Sequence, residues 1–115
     1  MRVLMVEDNA AFASVVIDQF LGEHDVTVVT TVAEALEQST DLFEAVLVDY
    51  DLPDGKGDAV VRALRRCAPD LIIIAISSHA QGNAALTSAG AHAVCPKRDF
   101  DQIAAVIEAA TASGS

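Results

Sequence analysis

The stretch AVLVDYDLPDGKG, residues 45–57, decides the fold of this chain. It opens with four apolar residues, turns acidic at Asp49 and continues into a loop that contains proline and glycine. A continuous apolar run of this kind is typical of a strand buried on both faces of a parallel sheet. Comparable runs lie at residues 3–6, 26–29 and 71–76, and a weaker one lies at 93–95. We therefore predict five parallel strands, of which this stretch supplies the third.

Helical patterns fill the gaps between these runs. They are apolar residues on one face, a T-x-x-E capping box, and glycine or proline where a helix has to stop. We expect helices around residues 12–20, from Thr31 and Glu34 onward, at 58–66, at 83–89 before a left-handed C-cap at Gly90, and from an N-cap at Asp99 onward.

The alternation of strands and helices predicts a doubly wound α/β fold. Five β-α units in sequence give a five-stranded parallel sheet with helices on both faces, joined by right-handed crossovers. We expect one domain over residues 1–110. Residues 111–115 are small and polar, so we expect a disordered tail or the start of a linker there.

The composition excludes several classes of function. The 115 residues carry 7 Lys and Arg against 17 Asp and Glu, a net charge of −10, which argues against nucleic acid or an anionic membrane as a direct partner. No run approaches the ~20 apolar residues of a membrane span, and the apolar run after Arg2 ends in Glu7 and Asp8, unlike a signal peptide. Cys67 and Cys95 form no disulfide framework, and we expect both to be reduced and buried. We therefore expect a cytoplasmic protein.

Polar side chains follow four of the five predicted strands. In open α/β sheets the site lies at the carboxyl ends of the strands. The residues in question are Glu7 and Asp8 after the first strand, Asp49 and Asp51 after the third, Ser77 and Ser78 after the fourth, and Lys97 after the fifth. Each alone is typical of a turn or of the solvated surface. Together they fit a phosphoryl acceptor, because Mg²⁺ prefers carboxylate ligands and an ammonium and a hydroxyl hold phosphoryl oxygens.

These residues resemble the receiver domain of two-component response regulators. The resemblance covers residues 1–110 and rests on motifs in a fixed order: Glu7-Asp8, the string from Asp49 to Pro53 with Gly57 after it, Ser77, Gly90-Ala91 and Lys97. It implies a flavodoxin-like sheet with strand order 2-1-3-4-5. It also implies a signalling domain that catalyses only its own phosphorylation and dephosphorylation.

The resemblance assigns a role to each acidic residue. Asp49 would be the phosphoacceptor, with a histidine kinase or a phosphotransfer protein as the donor. Mg²⁺ would be bound by Asp8 and Asp49 directly, by the backbone carbonyl of Asp51, and by Glu7 through water.

The remaining site residues would contact the phosphoryl group and carry the signal away. Ser77 and Lys97 would bind its oxygens. Two positions depart from the family pattern. Val94 stands where an aromatic residue usually rotates on phosphorylation, so we expect an atypical output face toward an effector domain or partner. Arg98 stands where a proline usually follows the lysine in a cis bond, which costs ~2.5–4 kcal/mol for any other residue.

Three other functions use related residues. A pseudo-receiver would bind partners without phosphorylation, and Val94 and Arg98 favour some divergence in that direction. A haloacid-dehalogenase-like phosphohydrolase shares the Asp49-Tyr50-Asp51 pattern, but its motif follows the first strand and this chain has no room for a cap domain. A flavin-binding flavodoxin is disfavoured because acids after the first strand would repel a phosphate.

Overall fold

Five parallel strands form the central sheet of the computed structural model, which describes residues 1–114 and the side chains of residues 1–112. They are β1 (Arg2–Val6), β2 (Asp25–Val29), β3 (Ala45–Val48), β6 (Ile72–Ala75) and β7 (Ala93–Val94). Along the chain, β3 is followed by a short antiparallel hairpin of β4 (Asp51–Leu52) and β5 (Gly55–Lys56), which precedes β6 and forms a separate two-stranded sheet. The sheet order is β2-β1-β3-β6-β7, which corresponds to the order 2-1-3-4-5. The predicted flavodoxin-like fold is therefore confirmed.

Helices cover both faces of this sheet. They are α1 (Ala10–Phe20), α2 (Val32–Leu36), α3 (Gly57–Cys67), α4 (Ala80–Ala89) and α5 (Ile103–Gly114), with short 3-10 helices at Thr40–Leu42 and Lys97–Gln102. Successive strand residues alternate between two cores. Leu4 and Val46 face α2, α3 and α4, whereas Met5 and Leu47 face α1 and α5.

Helix ends follow the sequence signals with some shifts. Asn9 caps α1 by accepting the N–H of Phe12 on its side-chain oxygen at 3.0 Å. Thr31 caps α2 as predicted, but the Glu34 carboxylate accepts the N–H of Thr30 rather than that of the cap residue. Gly90 ends α4 with a φ of 128°, a left-handed value that favours glycine.

Several expectations need correction. α4 begins at Ala80 rather than at residue 83, and a 3-10 turn precedes the last helix instead of an N-cap at Asp99. That helix continues to Gly114 and Ser115 lies outside the described residues, so a tail or linker beginning near residue 111 stays a prediction.

Two expectations about burial also fail. β2 is an edge strand, and its Thr27 and Val28 are exposed because only one neighbouring strand flanks it. Cys95 is buried as predicted, but Cys67 is exposed at the end of α3. Within residues 1–114, no helix is both long and apolar enough to cross a lipid bilayer.

Candidate functional site

The sheet brings the predicted acids together at the carboxyl ends of β1 and β3. These strands are neighbours with Val6 beside Val48, so the residues that follow them are also adjacent. The N–H of Asp49 donates to the carbonyl of Val6 at 3.0 Å, and the N–H of Glu7 donates to the carbonyl of Val29 at 2.9 Å. Backbone pairing thus continues past the strand ends and fixes both acids.

Three carboxylates form one cluster. Glu7, Asp8 and Asp49 each offer an oxygen, and these oxygens lie within 4.8 Å of one another. Glu7 is completely buried and Asp49 is nearly so, while Asp8 is exposed and opens the cluster to solvent. The Oε1 atom of Glu7 is buried and, among the described residues, has no hydrogen-bond partner beyond its ion pair with Lys97. These hard oxygen donors, one with unused acceptor capacity, fit Mg²⁺.

Lys97 supplies the positive charge of the site. Its Nζ lies 2.8 Å from Oε1 of Glu7 and 3.0 Å from Oδ2 of Asp49. The same ammonium lies 4.8 Å from the ring centroid of Phe12, within range of a cation–π contact. Phe12 in turn packs edge-on against the buried Phe100. The ring of Phe12, packed on Phe100, therefore helps to hold Lys97, the lysine that the sequence predicted for this site.

Burial and charge shift the titration of this pair. Burial raises the pKa of Glu7, and the contacts with the Lys97 ammonium and the Asn9 N–H offset this only in part. Burial lowers the pKa of Lys97, but its hydrogen bonds to Glu7 and Asp49 and the negative charges of both together outweigh burial and leave that pKa raised. The lysine is therefore held in its charged form.

Both oxygens of Asp49 have partners. Oδ2 contacts Lys97, and Oδ1 accepts the N–H of Tyr50 at 2.8 Å. The backbone behind Asp49 is crowded by α3, since a Cβ on Gly57 would lie 1.9 Å from the Asp49 carbonyl oxygen. Only glycine allows α3 to begin this close to the acid. Gly57 belongs to the predicted motif, and this contact gives the physical reason for it.

Ser77 lies after β6, as predicted, and is held by α4. Its N–H donates to Oδ1 of Asn83, and the Asn83 side-chain amide donates to its carbonyl, both at 2.9 Å. Its hydroxyl oxygen accepts the N–H of His79 at 3.1 Å. Sequence reasoning missed Asn83, because no local pattern marks a polar residue of a helix as a partner of the preceding strand end.

The sequence matches the response regulator receiver domain family over residues 3–108. The chain belongs to this family. Sensor protein TorS of Escherichia coli (strain K12) is 35% identical over 82 residues, which are 69% of this chain and 9% of TorS. Receiver domains are signalling units of two-component systems rather than enzymes that turn over a substrate.

Several solved structures show the same fold. NtrX from Brucella abortus, in complex with ADP, has a TM-score of 0.86 at 22% identity over 98% of this chain and 27% of its own. TrrA from Thermotoga maritima, in complex with Mg²⁺-BeF, has a TM-score of 0.84 at 20% identity over 95% of this chain and 97% of its own. The HemR receiver domain from Leptospira biflexa has a TM-score of 0.81 at 23% identity over 95% of this chain and 92% of its own.

One predicted acid of this receiver domain lies apart from the cluster. The carboxylate of Asp51 forms an exposed ion pair with Lys56 across the β4–β5 hairpin. Its pKa is lowered mainly by that hydrogen bond. The side chain of Asp51 therefore does not converge with the other three acids, and its backbone carbonyl as a metal ligand stays a prediction.

The structure shows the surroundings of Arg98 and Val94, the two positions that depart from the family pattern. The peptide bond between Lys97 and Arg98 is trans, and Lys97 still reaches both carboxylates. Val94 is 39% exposed. It lines a groove of about 550 Å³ beside α4, here called the Val94 groove, whose other lining residues are Ser78, Ala80, Asn83, Ala84, Thr87, Ser88, Pro96 and Arg98.

Proposed function

We propose that this receiver domain accepts a phosphoryl group on Asp49 in a Mg²⁺-dependent reaction. The observation that carries the proposal is the Lys97 ammonium, placed between Glu7 and Asp49 beside the exposed Asp8. The donor is the phosphohistidine of a histidine kinase or of a phosphotransfer protein in the cytoplasm. The functional unit spans residues 1–110, and the end of α5, from residue 111 onward, leads into a tail or linker.

The chemistry is a phosphoryl transfer between two proteins. A carboxylate oxygen of Asp49 bonds to phosphorus as the phosphorus–nitrogen bond of the donor breaks, and the imidazole leaves with the electron pair. Lys97 already contacts Asp49 and neutralises the charge on the phosphoryl oxygens. The Tyr50 N–H, which donates to Asp49, orients the attacking group. The Ser77 hydroxyl donates a hydrogen bond to a phosphoryl oxygen.

Bound Mg²⁺ would add positive charge next to the transferred group. The carboxylates of Asp8 and Asp49 and the Asp51 carbonyl would hold it, and Glu7 would act through water. The buried Glu7 carboxylate, which shares Lys97 with Asp49, supports a cation here, because a second positive charge offsets the repulsion among three acids.

The signal leaves through an effector domain or a separate partner at the Val94 groove. Because Val94 is small and aliphatic, the groove stays open beside α4. The shape of the groove therefore depends on the position of α4. No direct contact with nucleic acid or membrane is needed, which agrees with the net charge of −10.

Intact-mass spectrometry after incubation with a small-molecule phosphodonor and Mg²⁺ tests this proposal. We expect one added phosphoryl group on the wild type and none on Asp49→Asn. Asp18→Asn is the matched control, because it makes the same substitution at an exposed position of α1, and it should load normally. If the wild type binds no phosphoryl group at any donor concentration, the chain is a pseudo-receiver. If it steadily releases phosphate from many phosphoesters, it is a phosphohydrolase.

A further inference from the structure

The side-chain amide of Asn83 makes two hydrogen bonds to the backbone of one residue, Ser77. It accepts from the Ser77 N–H and donates to the Ser77 carbonyl, and both residues are buried. Backbone pairing between the strand β6 and its neighbours ends one residue before Ser77, where the N–H of Ile76 donates to the carbonyl of Val48. Asn83 therefore supplies the partners that the sheet no longer provides.

A second contact ties α4 to the same residue. A Cβ on Gly82 would lie 2.5 Å from Oγ of Ser77 and 2.9 Å from Cβ of Tyr50. The first turn of α4 is thus packed directly against the Ser77 hydroxyl. His79, which precedes this helix, donates its N–H to that hydroxyl and accepts the Asn83 N–H on its carbonyl. Ser77 and the start of α4 are connected at each of these points.

We infer that Asn83 is a positioning residue that fixes Ser77 and makes α4 move with it when Asp49 is loaded. This inference rests on the proposed function. Breaking both buried hydrogen bonds would leave the amide and the peptide groups without partners, which is unfavourable. A shift of Ser77 toward a phosphoryl oxygen therefore carries Asn83 along.

This connection gives the domain an output that needs no aromatic ring at position 94. Asn83, Ala84 and Thr87 of α4 line the Val94 groove. A displacement of Asn83 with Ser77 changes the shape of that groove directly. The path from Asp49 to the groove then runs through Ser77 and Asn83.

Beryllium fluoride, which mimics a phosphoryl group, tests the inference together with Mg²⁺. The fluorescence of Tyr50 reports beryllium fluoride binding. No other side chain contributes strongly to this signal, because the chain has one tyrosine and no tryptophan. The response of α4 is followed by hydrogen exchange of residues 80–89. In the wild type, loading should change exchange there. Asn83→Ala should load with about tenfold lower affinity and lose the change in α4.

Gln81→Ala is the matched control, because it removes an exposed amide from the same helix, and it should behave as the wild type. If Asn83→Ala does not fold, Asn83→Asp replaces it. When ionised, this variant accepts the Ser77 N–H but cannot donate, so its α4 response should be weakened.

The outcomes separate the two proposals. A loaded variant at Asn83 with the full wild-type exchange change in α4 overturns this inference alone. A wild type that never binds beryllium fluoride overturns the proposed function, and this inference with it.

Discussion

The ammonium of Lys97 lies 2.8 Å from Oε1 of Glu7, whose side chain is completely buried. Removing one partner of a buried ion pair leaves an uncompensated charge. We expect Lys97→Met to lower the free energy of unfolding by about 3 kcal/mol. Adding Glu7→Gln should restore most of it. Urea unfolding of both single variants and the double variant, without metal, measures this coupling, and strictly additive effects would contradict it.

Magnesium binding should depend on pH through Glu7. Because its pKa is raised from 4.5 by burial, Glu7 keeps its proton at pH values where an ordinary glutamate is ionised. The proton must leave before the carboxylate helps to bind a cation, so affinity should fall as the pH is lowered through this range, by at most about tenfold per pH unit.

Calorimetric titration with Mg²⁺ in a series of buffers measures this dependence, and Glu7→Gln should flatten it. The stability of the metal-free protein depends on pH in the opposite direction to Mg²⁺ affinity. Without metal, the stability associated with protonated Glu7 is lost as the pH rises through its raised, folded-state pKa. A Mg²⁺ affinity that is constant down to the pKa of ordinary glutamate would argue against this role.

Gly57→Ala should damage the fold next to the phosphoacceptor. The added Cβ would lie 1.9 Å from the backbone oxygen of Asp49, so the start of α3 has to shift. We expect a loss of at least about 3 kcal/mol of stability. Gly55→Ala is the matched control in the same loop, because its Cβ meets only a methyl group of Val32 at 3.4 Å and should change stability by less than about 1 kcal/mol. Equal effects in thermal unfolding would rule out this contact as the reason for glycine.

Arg65, near the end of α3, is a structural residue. Its guanidinium donates to the carbonyls of three residues in two loops: Pro69, Leu71 and Gly90. We expect Arg65→Ala to cost about 2 kcal/mol, and Arg65→Lys to recover little because an ammonium lacks the planar fork. Chemical denaturation gives the values. Arg66→Ala, which removes an exposed arginine of the same helix, should stay within about 0.5 kcal/mol of the wild type.

The two cysteines should differ in reactivity. Burial raises the pKa of the Cys95 thiol to about 11, whereas Cys67 is exposed. We expect iodoacetamide to modify only Cys67 in the native state, since the thiolate is the reactive form. Mass spectrometry should find one label, and none on Cys67→Ser. Two labels of equal rate in native protein would refute the burial of Cys95.

The fold and the site residues at the strand ends could be predicted because each is encoded locally. An apolar run followed by an acid marks both a strand and the edge on which its next residue lies. Gly82 and Asn83 could not be predicted, because the contacts that require these two residues are made with Ser77 across a turn. The direction of the Asp51 side chain depends on Lys56, which becomes its neighbour only in the hairpin.

The edges of the sheet also affect how the domain behaves in concentrated solution. On one side the sheet ends at β7, a strand of 2 residues. Such a short strand offers few free backbone groups for a strand of another molecule, so intermolecular pairing there is disfavoured. The other edge, β2, is longer, with 5 residues, and opens with the exposed, charged Asp25. Resistance to aggregation by strand addition therefore depends mainly on β2.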